Sequence, residues 1–142
     1  MKIQKIEEGV ANMFEMKEEY KLGIPNIDKQ HVKLFEIGER AYQLLMDTYA
    51  IDKYDKIVAI LEELSSYTVV HFRDEEEYME SINYRKLFSQ KVDHADFIKK
   101  ISEVDLSKID KDQDEYIMEI LNFLAKWLVD HIIEKDMLIV AK

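Results

Sequence analysis

Apolar residues recur every three or four positions along four segments of the chain, the spacing that places them on one face of an α-helix. The four stripes predict helices over about residues 27–46, 57–79, 87–101 and 116–132. Short polar stretches separate them, and helices joined by short connections pack as antiparallel neighbours. The pattern therefore predicts an all-α protein in which residues 21–142 form an up-down-up-down four-helix bundle.

The segment before the first stripe has a different character. Residues 1–20 mix charges with scattered apolar side chains, and we expect them to form an N-terminal arm that lies across the bundle. Gly23-Ile24-Pro25-Asn26 then breaks the chain, and Asn26 is the predicted N-cap of the first helix.

The polar stretches between the stripes predict the connections of the bundle. Residues 47–53 and 105–114 are the two longer ones. Residues 81–84 form a shorter turn, in which Asn83 is suited to a positive φ because asparagine tolerates the left-handed region.

Composition narrows the class of protein. The chain has 142 residues, a net charge of −10 and no cysteine. The length predicts one domain, and an acidic surface repels nucleic acid and anionic membranes. Without cysteine there are no disulfides, thiolate-zinc sites or iron–sulfur clusters. No glycine-rich phosphate loop, signal peptide or membrane-spanning apolar run is visible, so we expect a cytoplasmic protein that binds neither nucleic acid nor membranes.

Each predicted helix carries one of the four histidines of the chain within its apolar stripe: His31, His71, His94 and His131. Burying an imidazole without a partner is costly. Each histidine taken alone is also consistent with a core residue that makes one hydrogen bond. Four of them, one per helix, converging in a bundle indicate a metal site.

Two carboxylates are placed to join these histidines. Glu75 follows His71 by four residues, so the two side chains share a helix face. Asp136 follows His131 by five, about 140° around an ideal α-helix. That pair converges only if both residues flank a seam or if the helix loosens as it ends near Lys135. Imidazole and carboxylate together suit iron, manganese or zinc, and the pattern favours a buried centre with two metal ions.

Four motifs occur in order along the chain: GIPNIDKQHVKL (23–34), HFRDEEEYM (71–79), HADF (94–97) and WLVDHIIEKD (127–136). As a set they resemble the bacterial hemerythrins, a family of non-haem di-iron proteins that bind oxygen. The likeness extends from about Met16 to Asp136. It implies two iron ions in the core of a helical bundle, bridged by a solvent-derived oxo or hydroxo group.

The resemblance implies six metal ligands: His31, His71, Glu75, His94, His131 and Asp136. By this likeness the first two histidines would bind the iron that keeps an open position for O2. The other two histidines would bind the second iron, and the two carboxylates would bridge both. The resemblance also assigns Trp127 and Leu128 to the oxygen pocket, although ordinary core packing would produce the same pattern.

One position departs from the family. Its third helix normally carries two histidines four residues apart followed by a phenylalanine, and here His94 and Phe97 are preceded by Gln90. An amide oxygen binds metal more weakly than imidazole does. Gln90 is therefore a candidate weak ligand or a neighbour that does not bind, and a carboxylate such as Glu134 or Asp93 is an alternative donor.

The sequence is compatible with three functions. The leading one is reversible O2 binding for storage, transport or sensing, with a redox partner as a further expectation. The alternative is a di-iron oxidase or peroxidase that reacts with O2 or peroxide at a site opened by Gln90. In the third, the metal is stored or holds the bundle together. A ferritin-like iron site is disfavoured, because the sequence contains no Glu-x-x-His pair.

Overall fold

The computed structural model describes residues 14–49, 51–111 and 113–141, which form an up-down-up-down bundle of four long helices. The helices are α1 (Pro25–Met46), α2 (Tyr54–Ser81), α3 (Leu87–Ser102), α4 (Leu106–Lys111), α5 (Gln113–His131) and α6 (Met137–Val140). Helix α1 packs against α2 and α5, and α3 packs against α2. The described residues contain no strand, so the all-α prediction is confirmed.

The predicted apolar stripes form the core of the bundle. Its most deeply buried apolar side chains include Leu34, Ile37, Ile57, Leu64, Met79, Phe97, Ile117 and Leu121. Burying a side chain of this size stabilises the fold by roughly 1.5–3 kcal/mol relative to its exposure. The core thereby fixes the four long helices against one another, which is what positions the polar side chains discussed below.

The start of α1 differs from the prediction, because Asn26 is not its N-cap. Pro25 occupies the first turn, where its fixed φ suits the helix and its missing N–H leaves no donor unpaired. The Asp28 carboxylate accepts hydrogen bonds from the backbone N–H groups of Leu22 at 2.8 Å and Gly23 at 3.1 Å. The side chain that binds the backbone preceding α1 is therefore a carboxylate within the first helical turn, and not that of the predicted N-cap residue.

The connections between the helices follow the polar stretches with one addition. Residues 47–53 join α1 to α2, and Asn83 in the turn before α3 has a φ of 54°, which confirms the prediction. The stretch 105–114 was expected only as a polar connection, but it contains the short helix α4. Asp105 accepts hydrogen bonds from the backbone and hydroxyl of Ser107 at 3.0 and 2.7 Å, as a helix-capping residue does.

Part of the predicted N-terminal arm is visible. Residues 1–13 lie outside the described residues. The ring of Phe14 is buried against α1 and lies over Gly38, at a place that a Cβ atom would fill. Tyr20 is also buried and stacks on Phe35 with ring centroids 5.9 Å apart. This stretch of chain therefore contributes to the core.

The regular α-helical geometry of α5 ends at His131, in agreement with one of the two arrangements that the sequence suggested. At His131 the α-helix gives way to a π turn over residues 132–136, before α6 begins. A π turn is closed by hydrogen bonds between residues five apart instead of four. Within the described part of the chain, no helix has the length and apolar character required to cross a membrane.

Candidate metal centre

A cluster of buried polar side chains lies within the apolar core. The structure brings together all six residues that the sequence suggested as ligands: His31, His71, Glu75, His94, His131 and Asp136. None of these side chains is more than 6% exposed. They form two groups that share Glu75, and within each group one ligand atom per residue lies within 4.8 Å of the others.

Glu75 stands between the two groups and directs one oxygen to each. Its Oε2 lies 3.4 Å from Nε2 of His31 and 3.2 Å from Nε2 of His71. Its Oε1 lies 3.1 Å from Nε2 of His94 and 3.9 Å from Nε2 of His131. One carboxylate that faces two pairs of imidazoles has the arrangement of a bridge between two cations.

Asp136, at the end of the π turn, also directs one oxygen to each group. Its Oδ2 lies 3.3 Å from Nε2 of His31, and its Oδ1 lies 3.1 Å from Nε2 of His131. The π turn permits the second contact, because it places residues five apart on the same side of the helix. Asp136 therefore supplies a second candidate bridge.

Hydrogen bonds on the far side of two imidazoles orient them toward the centre. Nδ1 of His71 donates to Oε1 of Gln30 at 2.8 Å, and Nε2 of Gln30 donates to Oδ2 of Asp74 at 2.7 Å. Nδ1 of His94 donates to Oε2 of Glu76 at 2.8 Å. With the proton held on Nδ1, the lone pair of Nε2 faces the centre, as is usual for histidines that bind metal.

These supporting residues were missing from the sequence-based prediction. In the sequence, Gln30 is a polar residue directly before His31 and was not singled out. Glu76 is one of three consecutive glutamates, and the sequence does not show which of them contacts a histidine. Their partners lie on other helices, and spacing along a single helix carries no signal of such contacts.

Aromatic rings cover the half of the centre that contains His94 and His131. Phe72 stacks on His94 with centroids 3.9 Å apart, and Trp127 stacks on His131 at 4.4 Å. Leu128 is buried in the core. The assignment of Trp127 and Leu128 to an oxygen pocket stays a prediction.

A surface cavity of about 270 Å³ lies on the outer side of His131 and includes Trp127, Asp93 and Glu134 in its lining. Asp93 lies 3.9 Å from Nδ1 of His131, the nitrogen that faces away from the buried carboxylates. Neither Asp93 nor Glu134 belongs to the buried groups of ligand atoms. Of the three candidate replacement donors, Gln90 is therefore the one that contacts a buried carboxylate: its Nε2 donates to Oδ1 of Asp136 at 3.1 Å.

Unpartnered polar atoms show that the residues fit bound cations. Among the described residues, the fully buried side-chain atoms without a hydrogen-bond partner are His31 Nδ1 and Nε2, Glu75 Oε2, Gln90 Oε1 and Asp136 Oδ2. Leaving such an atom unpaired costs about 1–3 kcal/mol. All of them belong to this cluster, and the imidazole and carboxylate donors suit iron, manganese or zinc.

The same contacts change the pKa values of the cluster. Burial by itself lowers the pKa of His31 and His131, but the neighbouring Asp136 and Glu75 outweigh it and raise both pKa values to about 9. Burial would raise the pKa of Glu75, yet the surrounding histidines hold it well below its usual range. Burial dominates at His71 and lowers its pKa. A cation that binds here at neutral pH therefore displaces protons from two imidazoles.

Comparison with known proteins agrees with this geometry. The sequence model of the hemerythrin HHE cation binding domain matches residues 22–142. The chain is 49% identical over 124 residues to the bacteriohemerythrin of Clostridium acetobutylicum, covering 87% of this chain and 96% of that protein. It is 32% identical over 115 residues to the bacteriohemerythrin of Pseudomonas paraeruginosa, covering 80% and 71%.

An animal protein is similar as well. One hemerythrin subunit from Sipunculus nudus is 32% identical over 98 residues, covering 69% of this chain and 75% of that protein. The match of the family model spans the four motifs and all six candidate ligands. The chain therefore belongs to the hemerythrin family.

Proposed function

We propose that this chain binds O2 reversibly at two iron ions held between α1, α2, α3, the end of α5 and the π turn that follows it. Membership in the hemerythrin family supports a non-haem di-iron, oxygen-binding protein rather than an enzyme. The proposed ligands are His31, His71, Glu75, His94, His131 and Asp136.

The main support for this proposal is that the two oxygens of each carboxylate face different histidines. Glu75 and Asp136 each direct one oxygen toward His31 and the other toward His131. A cluster built for a single cation would concentrate its donors on one point. Two pairs of imidazoles on either side of two carboxylates instead provide two adjacent positions with donors of the same chemistry.

Iron bound by these residues in the ferrous state would supply the electrons needed to hold O2. The protein positions the donors through Gln30 and Glu76, which fix the proton of His71 and of His94 on Nδ1. Packing of Phe72 against His94 reduces the access of water to the imidazole. The proposed donors are thereby held among buried side chains.

The two positions differ in their surroundings, and the difference supports one of them for O2. Both carboxylates reach both positions. The buried carboxamide of Gln90, however, lies on the side of His131, where its Nε2 donates to Oδ1 of Asp136. We therefore propose that the open position lies beside His31 and His71. A one-electron reductant that keeps the ions in the oxygen-binding state is the partner that the proposal requires.

The proposal is tested by reconstituting the metal-free chain with Fe²⁺ under anaerobic conditions and recording absorption spectra under O2 and again after its removal. We expect a band that appears with O2 and disappears under argon. Glu75→Gln removes a bridging charge and should abolish the band. Glu77→Gln changes an exposed glutamate two residues away and should leave it unchanged.

Two outcomes would contradict the proposal. One is an identical reversible band in wild type and Glu75→Gln, which would place O2 binding elsewhere. The other is irreversible oxidation on the first exposure to O2, accompanied by turnover of peroxide with an added electron donor. That result would favour the oxidase or peroxidase alternative.

A further inference from the structure

Two glutamines are buried beside the metal centre, and their carboxamides are engaged differently. Gln30 uses both of its polar atoms: its oxygen accepts from His71, and its nitrogen donates to Asp74. Both polar atoms of the Gln30 side chain therefore have hydrogen-bond partners, and Gln30 is not a candidate ligand.

Gln90 is only half engaged. Its side chain is 2% exposed, and Nε2 donates to Oδ1 of Asp136 at 3.1 Å. Its Oε1 is fully buried and has no hydrogen-bond partner. A buried amide oxygen without a partner costs about 1–3 kcal/mol, so a fold that keeps one in this position needs something to bind it.

The hydrogen bond to Asp136 also fixes the half of the centre at which Gln90 lies. The Oδ1 atom that accepts from Gln90 is the same atom that lies 3.1 Å from Nε2 of His131. The carboxamide is therefore close to the position enclosed by His131 and His94, whose Nε2 atoms are 3.2 Å apart. Amide oxygen is an accepted donor for the harder transition metals.

We propose that the Oε1 atom of Gln90 is a seventh protein ligand, bound to the ion that His94 and His131 hold; this inference rests on the proposed function. The amide nitrogen meanwhile keeps Asp136 in its bridging orientation. One position then has two nitrogen donors and a side-chain amide oxygen in addition to the shared carboxylates. The position of His31 and His71 lacks this extra donor, which leaves it open for O2.

Binding of Co²⁺ to the metal-free chain provides a test that does not depend on O2. Trp127 is the only tryptophan of the chain and stacks on His131, so Co²⁺ bound by His131 quenches its fluorescence. Wild type should bind two equivalents. Gln90→Leu removes both the oxygen and the N–H group and should weaken the step that quenches Trp127 by about 10-fold or more.

Gln90→Glu separates the two roles of the carboxamide. It keeps an oxygen donor but loses the N–H group that holds Asp136. A ligand role predicts binding at least as tight as in wild type, whereas a role limited to donating that hydrogen bond predicts weaker binding in both variants. The exposed Gln43, substituted as Gln43→Leu, is the matched control and should change neither step.

A crystal structure of the Co²⁺-loaded wild-type protein tests the proposal without any variant. The proposal predicts Oε1 of Gln90 at about 2.0–2.4 Å from the ion beside His131, a normal metal–oxygen distance. Two bound ions with Oε1 beyond about 3 Å would overturn this inference alone. Fewer than two bound ions would overturn the proposed function instead, so the two failures are distinguishable.

Discussion

His131 and Asp136 are five residues apart, yet Nε2 of the histidine lies 3.1 Å from Oδ1 of the aspartate. A regular α-helix would turn residues at this separation about 140° from each other. The π turn over residues 132–136 removes the mismatch. A local widening of the helix is therefore what delivers the second carboxylate to the centre.

Asp136→Asn removes a buried negative charge from between His31 and His131, whose pKa values it raises. At about pH 6 both imidazoles of the metal-free protein are charged, and one loses its counter-charge. We expect a loss of roughly 3–5 kcal/mol in the free energy of unfolding, measured with urea in the presence of chelator. Asp130→Asn, which breaks an exposed pair with Lys126, should cost about 1 kcal/mol or less. Equal losses in the two variants would contradict the account.

The stability of the metal-free protein should depend on pH in a defined direction. The pKa values of His31 and His131 are about 9 in the folded chain, against roughly 6.5 in the unfolded one. The folded state therefore binds more protons in this window. The stabilisation is complete below about pH 6.5 and is lost as the pH rises through about 9.

Two other groups act in the opposite direction at lower pH. The pKa of His71 is lowered by burial, and that of Glu75 is held low by the histidines around it. Both therefore reduce stability as the pH falls, His71 below about 6.5 and Glu75 below about 4.5. Thermal unfolding with chelator at a series of pH values should show a maximum near pH 6–7. A melting temperature that rises steadily from pH 7 to 10 would show that these pairs are absent.

Glu76→Gln tests the support behind His94. The variant keeps the shape of the side chain but removes the charge that accepts the hydrogen bond of Nδ1 at 2.8 Å. We expect metal binding to weaken by about 10- to 100-fold, measured by competition with a chelator. Glu77→Gln, at the exposed neighbouring position, should leave the affinity within about twofold. The same loss in both variants would point to net charge rather than to this hydrogen bond.

Gly38→Ala tests the packing of Phe14 on α1. In the interior of a helix this substitution usually stabilises by about 1 kcal/mol. Here the new Cβ would overlap the ring of Phe14, so we expect a destabilisation of about 1–3 kcal/mol. In a Phe14→Ala background the overlap is gone, and the same substitution should become neutral or stabilising. Destabilisation of equal size in both backgrounds would contradict the observed contact.

The sequence predicted the helices well because their apolar stripes have the period of an α-helix. It predicted the convergence of His71 and Glu75 for the same reason, since residues four apart share a face. The prediction that Asn26 caps α1 was wrong. Asp28, within the first turn, accepts the hydrogen bonds of the preceding backbone instead. Capping depends on which side chain reaches the backbone, and residue type alone does not fix this.

The individual hydrogen bonds between helices could not be predicted from the apolar pattern. Gln30 and His71 are 41 residues apart, and Gln90 and Asp136 are 46 apart. Nothing in the spacing along one helix indicates that these pairs meet. The sequence marked Gln90 as a candidate weak ligand or a neighbour that does not bind, and the structure adds that its buried amide oxygen has no hydrogen-bond partner.

A crystal structure of the iron-loaded chain, with anomalous data collected at the iron edge, tests the proposed di-iron centre most directly. We expect two iron peaks per chain, one within bonding distance of His31 and His71 and the other of His94 and His131. Glu75 should contact both irons. A single peak, or iron bound away from these side chains, would contradict the proposal.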